Sequence, residues 1–217
     1  MSAVAHPNVA ARRIFTYAEL AAVPPGSSDE RLVVVTSYDP AILESTPRAG
    51  LMVRDTVARM LAAANAALRQ NGARLKVADG HRPARIQERY FAEAWEMMRA
   101  RHPALSDDQL REAVHALSAV PEVAGHPTGG AVDVTAAGPD GADLDMGAEL
   151  SDFDDLSRVP TYAPGLSAEQ ERNRALLHDA MVTAGFAPFY GEWWHFSYGD
   201  REWAAFYERP SALYGPL

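Results

Sequence analysis

The 217-residue chain contains no cysteine, which removes disulfide frameworks, thiolate nucleophiles and Cys-bearing zinc sites together. Any metal must therefore rest on imidazole and carboxylate. Basic residues are in the minority, 20 Lys and Arg against 29 Asp and Glu for a formal charge of −9. An extended phosphate-binding surface is not expected from that balance, and neither is a nucleic-acid partner. No run approaches the roughly 18 apolar residues of a membrane span. The opening Met1-Ser-Ala-Val-Ala-His-Pro7 lacks the basic and apolar regions of an export signal. The expectation is a soluble, cytoplasmic protein without a membrane partner. Composition excludes disorder, collagen and coiled coil: 47% hydrophobic, 9% aromatic and 23% charged, with 15 Gly and 15 Pro dispersed along the chain.

Residues 1–30 end in the breaker run Val23-Pro-Pro-Gly-Ser-Ser28 and read as an irregular arm. Arg31 to Ser37 is a β-branched run suited to a strand, and Val53, Val57, Met60, Leu61, Ala64 and Leu68 recur at helical spacing up to Asn71-Gly72. Leu75-Lys-Val-Ala78 alternates as a strand, and Pro83 suits the first turn of a helix running to about Arg101. Ser106 caps another helix. Gly129 to Thr135 reads as a turn entering a strand, and the acidic 143–165 segment as loop. Ser167-Ala-Glu-Gln170 is a capping box opening a helix through Met181, closed by Gly185, and Phe189 to Tyr198 is an aromatic strand. With no repeat or linker, the chain reads as one α+β domain, an antiparallel sheet flanked by helices.

Two clusters concentrate metal-ligating groups, Gly125-His-Pro-Thr-Gly-Gly-Ala-Val-Asp133 and Gly191-Glu-Trp-Trp-His-Phe196. His126 and Asp133 are seven apart, so a continuous strand would separate them by roughly 23 Å at about 3.3 Å per residue. The Pro127-Thr-Gly-Gly130 insert allows the backbone to turn back and bring both side chains to one ion. Glu192 and His195, three apart, fall on opposite faces of a regular strand, but a bulge at Gly191 would turn the carboxylate toward the side His195 faces. His126, Asp133 and His195 then supply three N/O ligands with an open fourth position, the arrangement of a catalytic zinc site. Co, Ni and Mn are chemically acceptable alternatives. Glu192 is left free to act on water. Arg82, at a strand end and held extended by Pro83, is placed to stabilise an oxyanion.

Asp79-Gly-His-Arg-Pro83, His126-x-x-Gly-x-Ala-x-Asp133 and Glu192-Trp-Trp-His195, in this order, resemble the motifs of the D-alanyl-D-alanine dipeptidases, the VanX-like zinc peptidases. The likeness extends over about residues 31–198 and includes the helix opening at Ser167. It implies the α+β fold shared with zinc D,D-carboxypeptidases and hedgehog domains, with one catalytic domain over 1–217. One zinc per chain on His126, Asp133 and His195, Glu192 as base and then acid, and Arg82 steadying the transition state are implied as well. So is a small dipeptide-like substrate. Three positions depart from the pattern: Ala124 stands where Ser is usual, Val34 where the family has Tyr, and Ser151 where it has Asp. All three resemble places where the family holds the substrate's free ammonium, so altered specificity is expected.

Two other functions fit the same residues: a D,D-carboxypeptidase-type cell-wall hydrolase, and a catalytically silent metal-containing domain that binds peptides. Outside the motifs, Trp193 and Trp194 read as core and pocket wall, and His81 either lines the site or packs. His6, His102, His115 and His178 read as exposed or capping, and Asp152-Phe-Asp-Asp155 as a solvated loop.

Overall fold

The computed structural model describes residues 7–45, 50–150 and 155–217. Two short helices, α1 (Pro7–Ala11) and α2 (Tyr17–Ala21), occupy the segment expected to be irregular. α2 forms because Thr16 and Glu19 cap each other, the Thr16 hydroxyl accepting from Glu19 N–H and the Glu19 carboxylate from Thr16 N–H. β1 (Leu32–Val34) pairs antiparallel with β3 (Met52–Arg54) as a separate ribbon, while β2 (Leu43–Glu44) joins the main sheet. Val53 thus belongs to a strand, and α3 (Asp55–Arg69) starts two residues later than its periodicity predicts.

β4 (Arg74–Asp79) leads into α4 (Ala84–Arg101), whose start follows Pro83, and α5 (Asp107–His115) is capped by Ser106 as expected. A single 3-10 turn, His126–Thr128, precedes β5 (Ala131–Ala137). α6 (Ala168–Thr183) opens at Ser167 with the predicted capping box, and β6 (Ala187–Pro188), β7 (His195–Ser197) and α7 (Arg201–Phe206) complete the chain. The five-stranded sheet has the order β2-β4-β5-β7-β6 and is antiparallel except for the β2–β4 pair.

The expected aromatic strand over Phe189 to Tyr198 is instead a tight turn that follows β6 and leads into β7. Phe189 N–H donates to His195 O and Glu192 N–H to Phe189 O, so residues 189–194 close a loop and only 195–197 continue as strand. The aromatic side chains that raise strand propensity here are drawn into the core instead: Trp193 and Trp194 are both buried.

Every residue of β5 is buried, as its central place in the sheet requires. On one face Val132 and Val134 join Val57, Leu61 and Leu68 of α3 and Leu177 and Met181 of α6 in the main core. Each of these larger side chains contributes about 1.5–3 kcal/mol by leaving water. Asp133 points from the same strand and cannot stay charged there without partners. Among the described residues no helix is long and apolar enough to cross a membrane.

Arg174 pins the long connection between β5 and α6. Its guanidinium is buried and donates to Met146 O and Pro160 O at 2.6 Å and to Arg158 O at 2.8 Å. Arg174→Met is expected to strand three carbonyls and lower unfolding free energy by about 3 kcal/mol. Urea denaturation at unchanged m-value checks this, and a midpoint equal to wild type would refute the clamp.

Candidate metal centre and cleft

The site is assembled at the junction of β4, β5 and β7. Asp133 pairs in register with Asp79 of β4 on one side and His195 of β7 on the other, so the sheet itself aligns all three residues. His126 reaches the same point by a reversal of the chain. Its 3-10 turn ends at Gly129, which takes φ 74°, a left-handed conformation costly for side-chain-bearing residues. The seven-residue interval between His126 and Asp133 therefore closes into a turn, as the Pro-Thr-Gly-Gly insert predicts. Arg82 N–H donates to His126 O at 3.2 Å, joining the first two motifs through the backbone.

The ligand atoms of His126, Asp133 and His195 lie within 4.8 Å of one another. His126 Nδ1 donates to Gly80 O at 2.7 Å, which leaves Nε2 as the free donor atom, and this Nε2 stands 3.3 Å from Asp133 Oδ2. His195 Nδ1 stands 2.9 Å from Asp133 Oδ1. The Phe189 ring backs the His195 imidazole edge-on at 6.1 Å. Tetrahedral zinc at about 2.0–2.1 Å from each ligand requires donors about 3.3 Å apart. Two imidazoles and one carboxylate at this spacing fit zinc, and the three residues line the cleft.

Burial alone would raise the Asp133 carboxyl, but His126 and His195 overrule it and hold it far below the usual carboxylate range. Burial likewise opposes charge on His126, yet Asp133 lifts this imidazole above its ordinary value. Because its folded value is raised, the pair stabilises the metal-free fold below the ordinary imidazole range, and that contribution is lost as pH rises through the raised value. Zinc and this proton compete for Nε2. Zinc binding at mildly acidic pH is therefore expected to release a proton, and affinity to fall as pH falls. Calorimetry in buffers of different ionisation enthalpy measures the release; a buffer-independent heat would contradict it.

Arg82 is held on three sides. Its Nε and Nη2 donate to Asp79 Oδ2 at 3.0 and 2.6 Å, Nη1 donates to Gln87 Oε1 at 2.9 Å, and Nη2 lies 3.6 Å from Asp133 Oδ2. Gln87, buried in the first turn of α4, is fixed in turn by donating to Ala119 O at 2.9 Å. Glu192 comes from the 189–194 turn rather than from a bulged strand and lines the same cleft. Burial, reinforced by Asp133 and Glu202, pushes its carboxyl well above the ordinary range.

These groups share a cleft of about 520 Å³, walled by Tyr90 and Met97 of α4, Leu150, and Phe189. Of the three departing positions, Ala124 lines the cleft, Val34 lies in β1 and is not among its lining residues, and Ser151 lies outside the described residues, as does Asp152. His115 and His178, expected to be exposed or capping, are 7% and 4% exposed. Their partners are the Val120 N–H for His115, and the Asp179 carboxylate and Tyr190 hydroxyl for His178. Sequence reasoning gave no role to Gln87, Asp79 or Glu202 and no place in the cleft to His115. Asp79 lay in a quoted motif, and Gln87 sits one turn beyond Pro83; Glu202 belongs to no motif.

The model of the D-ala-D-ala dipeptidase family matches residues 39–212. Two D-alanyl-D-alanine dipeptidases are similar in sequence. One, from Synechocystis, is 37% identical over 36% of this chain and 36% of its own length; the other, from Escherichia coli, is 38% identical over 33% and 36%. These alignments span about a third of each relative. Two solved structures share the fold at 18% identity and TM-score 0.50. VanYB in complex with D-alanine-D-alanine is matched over 90% of this chain and 94% of its own, and the LD-carboxypeptidase LdcB over 86% and 76%. The family match and the fold coincide over most of the chain, which belongs to the D-ala-D-ala dipeptidase family.

Proposed function

We propose that the protein is a zinc-dependent peptidase that hydrolyses the amide bond of a small dipeptide-like substrate of the D-Ala-D-Ala type, with specificity altered by its own cleft residues. The observation that carries this reading is the meeting of His126, Asp133 and His195 at one point of a cleft that also holds Glu192 and Arg82. His126, Asp133 and His195 would hold the ion, which when bound supplies a Lewis acid and lowers the pKa of water toward about 7.

The remaining chemistry belongs to side chains. Glu192 accepts a proton from the attacking water and returns it to the departing amine; its raised proton affinity brings it closer to the operating pH, where a group of this kind transfers protons best. Arg82, fixed by Asp79 and Gln87, presents its guanidinium to the oxygen on which negative charge develops. The apolar wall of Phe189, Leu150 and Met97 limits water around these charges and strengthens them.

The test is to dialyse against a chelator, restore zinc, and follow amine release from D- and L-dipeptides, acylated amino acids and longer peptides ending in D-Ala. Restored cleavage of a dipeptide at about one equivalent of zinc is expected. Preference for the longer peptides would favour a carboxypeptidase, and tight binding without turnover would replace the enzyme by a silent domain.

A further inference from the structure

The cleft continues beyond the metal-ligand cluster to a wall that this chemistry does not use. There α7 delivers Glu202 and the end of α5 delivers His115. Asp200, the N-cap of α7, accepts from Trp203 N–H and the Ser197 hydroxyl, both at 2.8 Å. It packs so closely on Gly125 that a Cβ there would lie 2.1 Å from Asp200 Oδ2. This contact fixes the first turn of α7, and Glu202 with it, against the Val123-Ala124-Gly125 segment beside His126.

Asp79, Asp133 and Asp200 are each engaged by donors, whereas Glu202 makes no hydrogen bond or ion pair among the described residues. The same cleft is lined by Leu20, Val123 and Ala124, which offer no counter-charge. Burial, with Asp200 adding to it, raises the Glu202 carboxyl well above its ordinary range. Arg82 is the one Lys or Arg lining the cleft among the described residues, and it is already bound to Asp79 and Gln87. His115 is a second polar group on the wall. Its Nδ1 accepts from Val120 N–H at 3.3 Å, so the proton sits on Nε2, for which the described residues provide no acceptor. A half-buried carboxyl on such a wall gains most from a cation brought to it.

We propose that Glu202 is a specificity-determining residue that receives a primary ammonium group of the substrate, so that the cleft selects cationic dipeptide-like substrates over neutral ones. The inference rests on the peptidase reading above. A primary ammonium can come from a free N-terminus or from a side chain, and the two are separable with D-Ala-D-Ala, N-acetyl-D-Ala-D-Ala and N-acetyl-D-Lys-D-Ala.

With zinc-loaded wild type, kcat/KM for one ammonium-bearing compound should exceed that for N-acetyl-D-Ala-D-Ala by about tenfold or more, mainly through KM. Glu202→Gln should reduce this ratio to within about threefold, and Glu202→Asp should recover part of it. A wild-type ratio near unity, or a ratio undiminished in Glu202→Gln with native circular dichroism, overturns the proposal. Calorimetric binding of phosphinate isosteres of the same compounds, which cannot be cleaved, reads the same ratio without turnover. If wild type cleaves nothing, the hydrolase reading fails, and the isostere ratio in wild type and Glu202→Gln still decides the role of Glu202.

Discussion

Glu192→Gln is expected to lower kcat on the best dipeptide by about 10³-fold while zinc content stays at wild-type level. Gln keeps the shape of the side chain in the 189–194 turn but can neither take a proton from water nor return one to the leaving amine. Glu192 is not one of the three converging ligand residues, so its loss should leave the metal in place. The carboxyl is held high by burial and by Asp133 and Glu202, and neutralising it relieves those neighbours. The variant is therefore expected to be as stable as wild type or more so. Thermal unfolding checks that prediction, and single-turnover assays with zinc analysis check the first. A Glu192→Gln enzyme with near-wild-type turnover and bound metal would remove the acid–base assignment.

Arg82→Lys is expected to cost about 10²- to 10³-fold in kcat with little change in zinc content. A lysine ammonium is a point charge on a flexible stem and cannot hold Asp79 and Gln87 simultaneously in the planar arrangement observed. If Arg82 mainly serves to neutralise Asp133, which lies 3.6 Å from its Nη2, zinc affinity should fall in step with turnover. Measuring kcat and zinc affinity on the same preparation separates the two roles.

The approach of His126 to Asp133 was legible because it is imposed locally. A glycine-rich reversal was the one arrangement that could bring His126 to Asp133, and the structure closes that interval with Gly129 at positive φ. The boxes at Ser106 and Ser167 were legible for the same reason, since caps depend on residues three apart. Thr16-x-x-Glu19 carries an equal signal, but the following Pro24-Pro25 made the whole arm read as irregular. The 189–194 turn misled because aromatic residues favour strands, while the hydrogen bonds that close it join non-adjacent residues and leave no pattern.

Buried polar groups were the least legible part. His115 and Gln87 owe their positions to Val120 N–H and Ala119 O, atoms of a connecting segment whose path the sequence does not disclose. Glu202 has no motif at all; its placement depends on Asp200 docking against Gly125 across the domain. Turns and caps encoded by short spacing were readable, and buried partners supplied by distant connecting segments were not.

The claim on which the rest depends is that two imidazoles and one aspartate hold a single divalent ion. Elemental analysis with X-ray absorption on untagged protein, beside a His126→Ala/His195→Ala double variant, tests it most directly. The expected result is one zinc per chain in an environment of nitrogen and oxygen ligands alone, lost from the double variant. A wild-type protein that binds no divalent ion, or a double variant that retains zinc at full stoichiometry, would contradict the account.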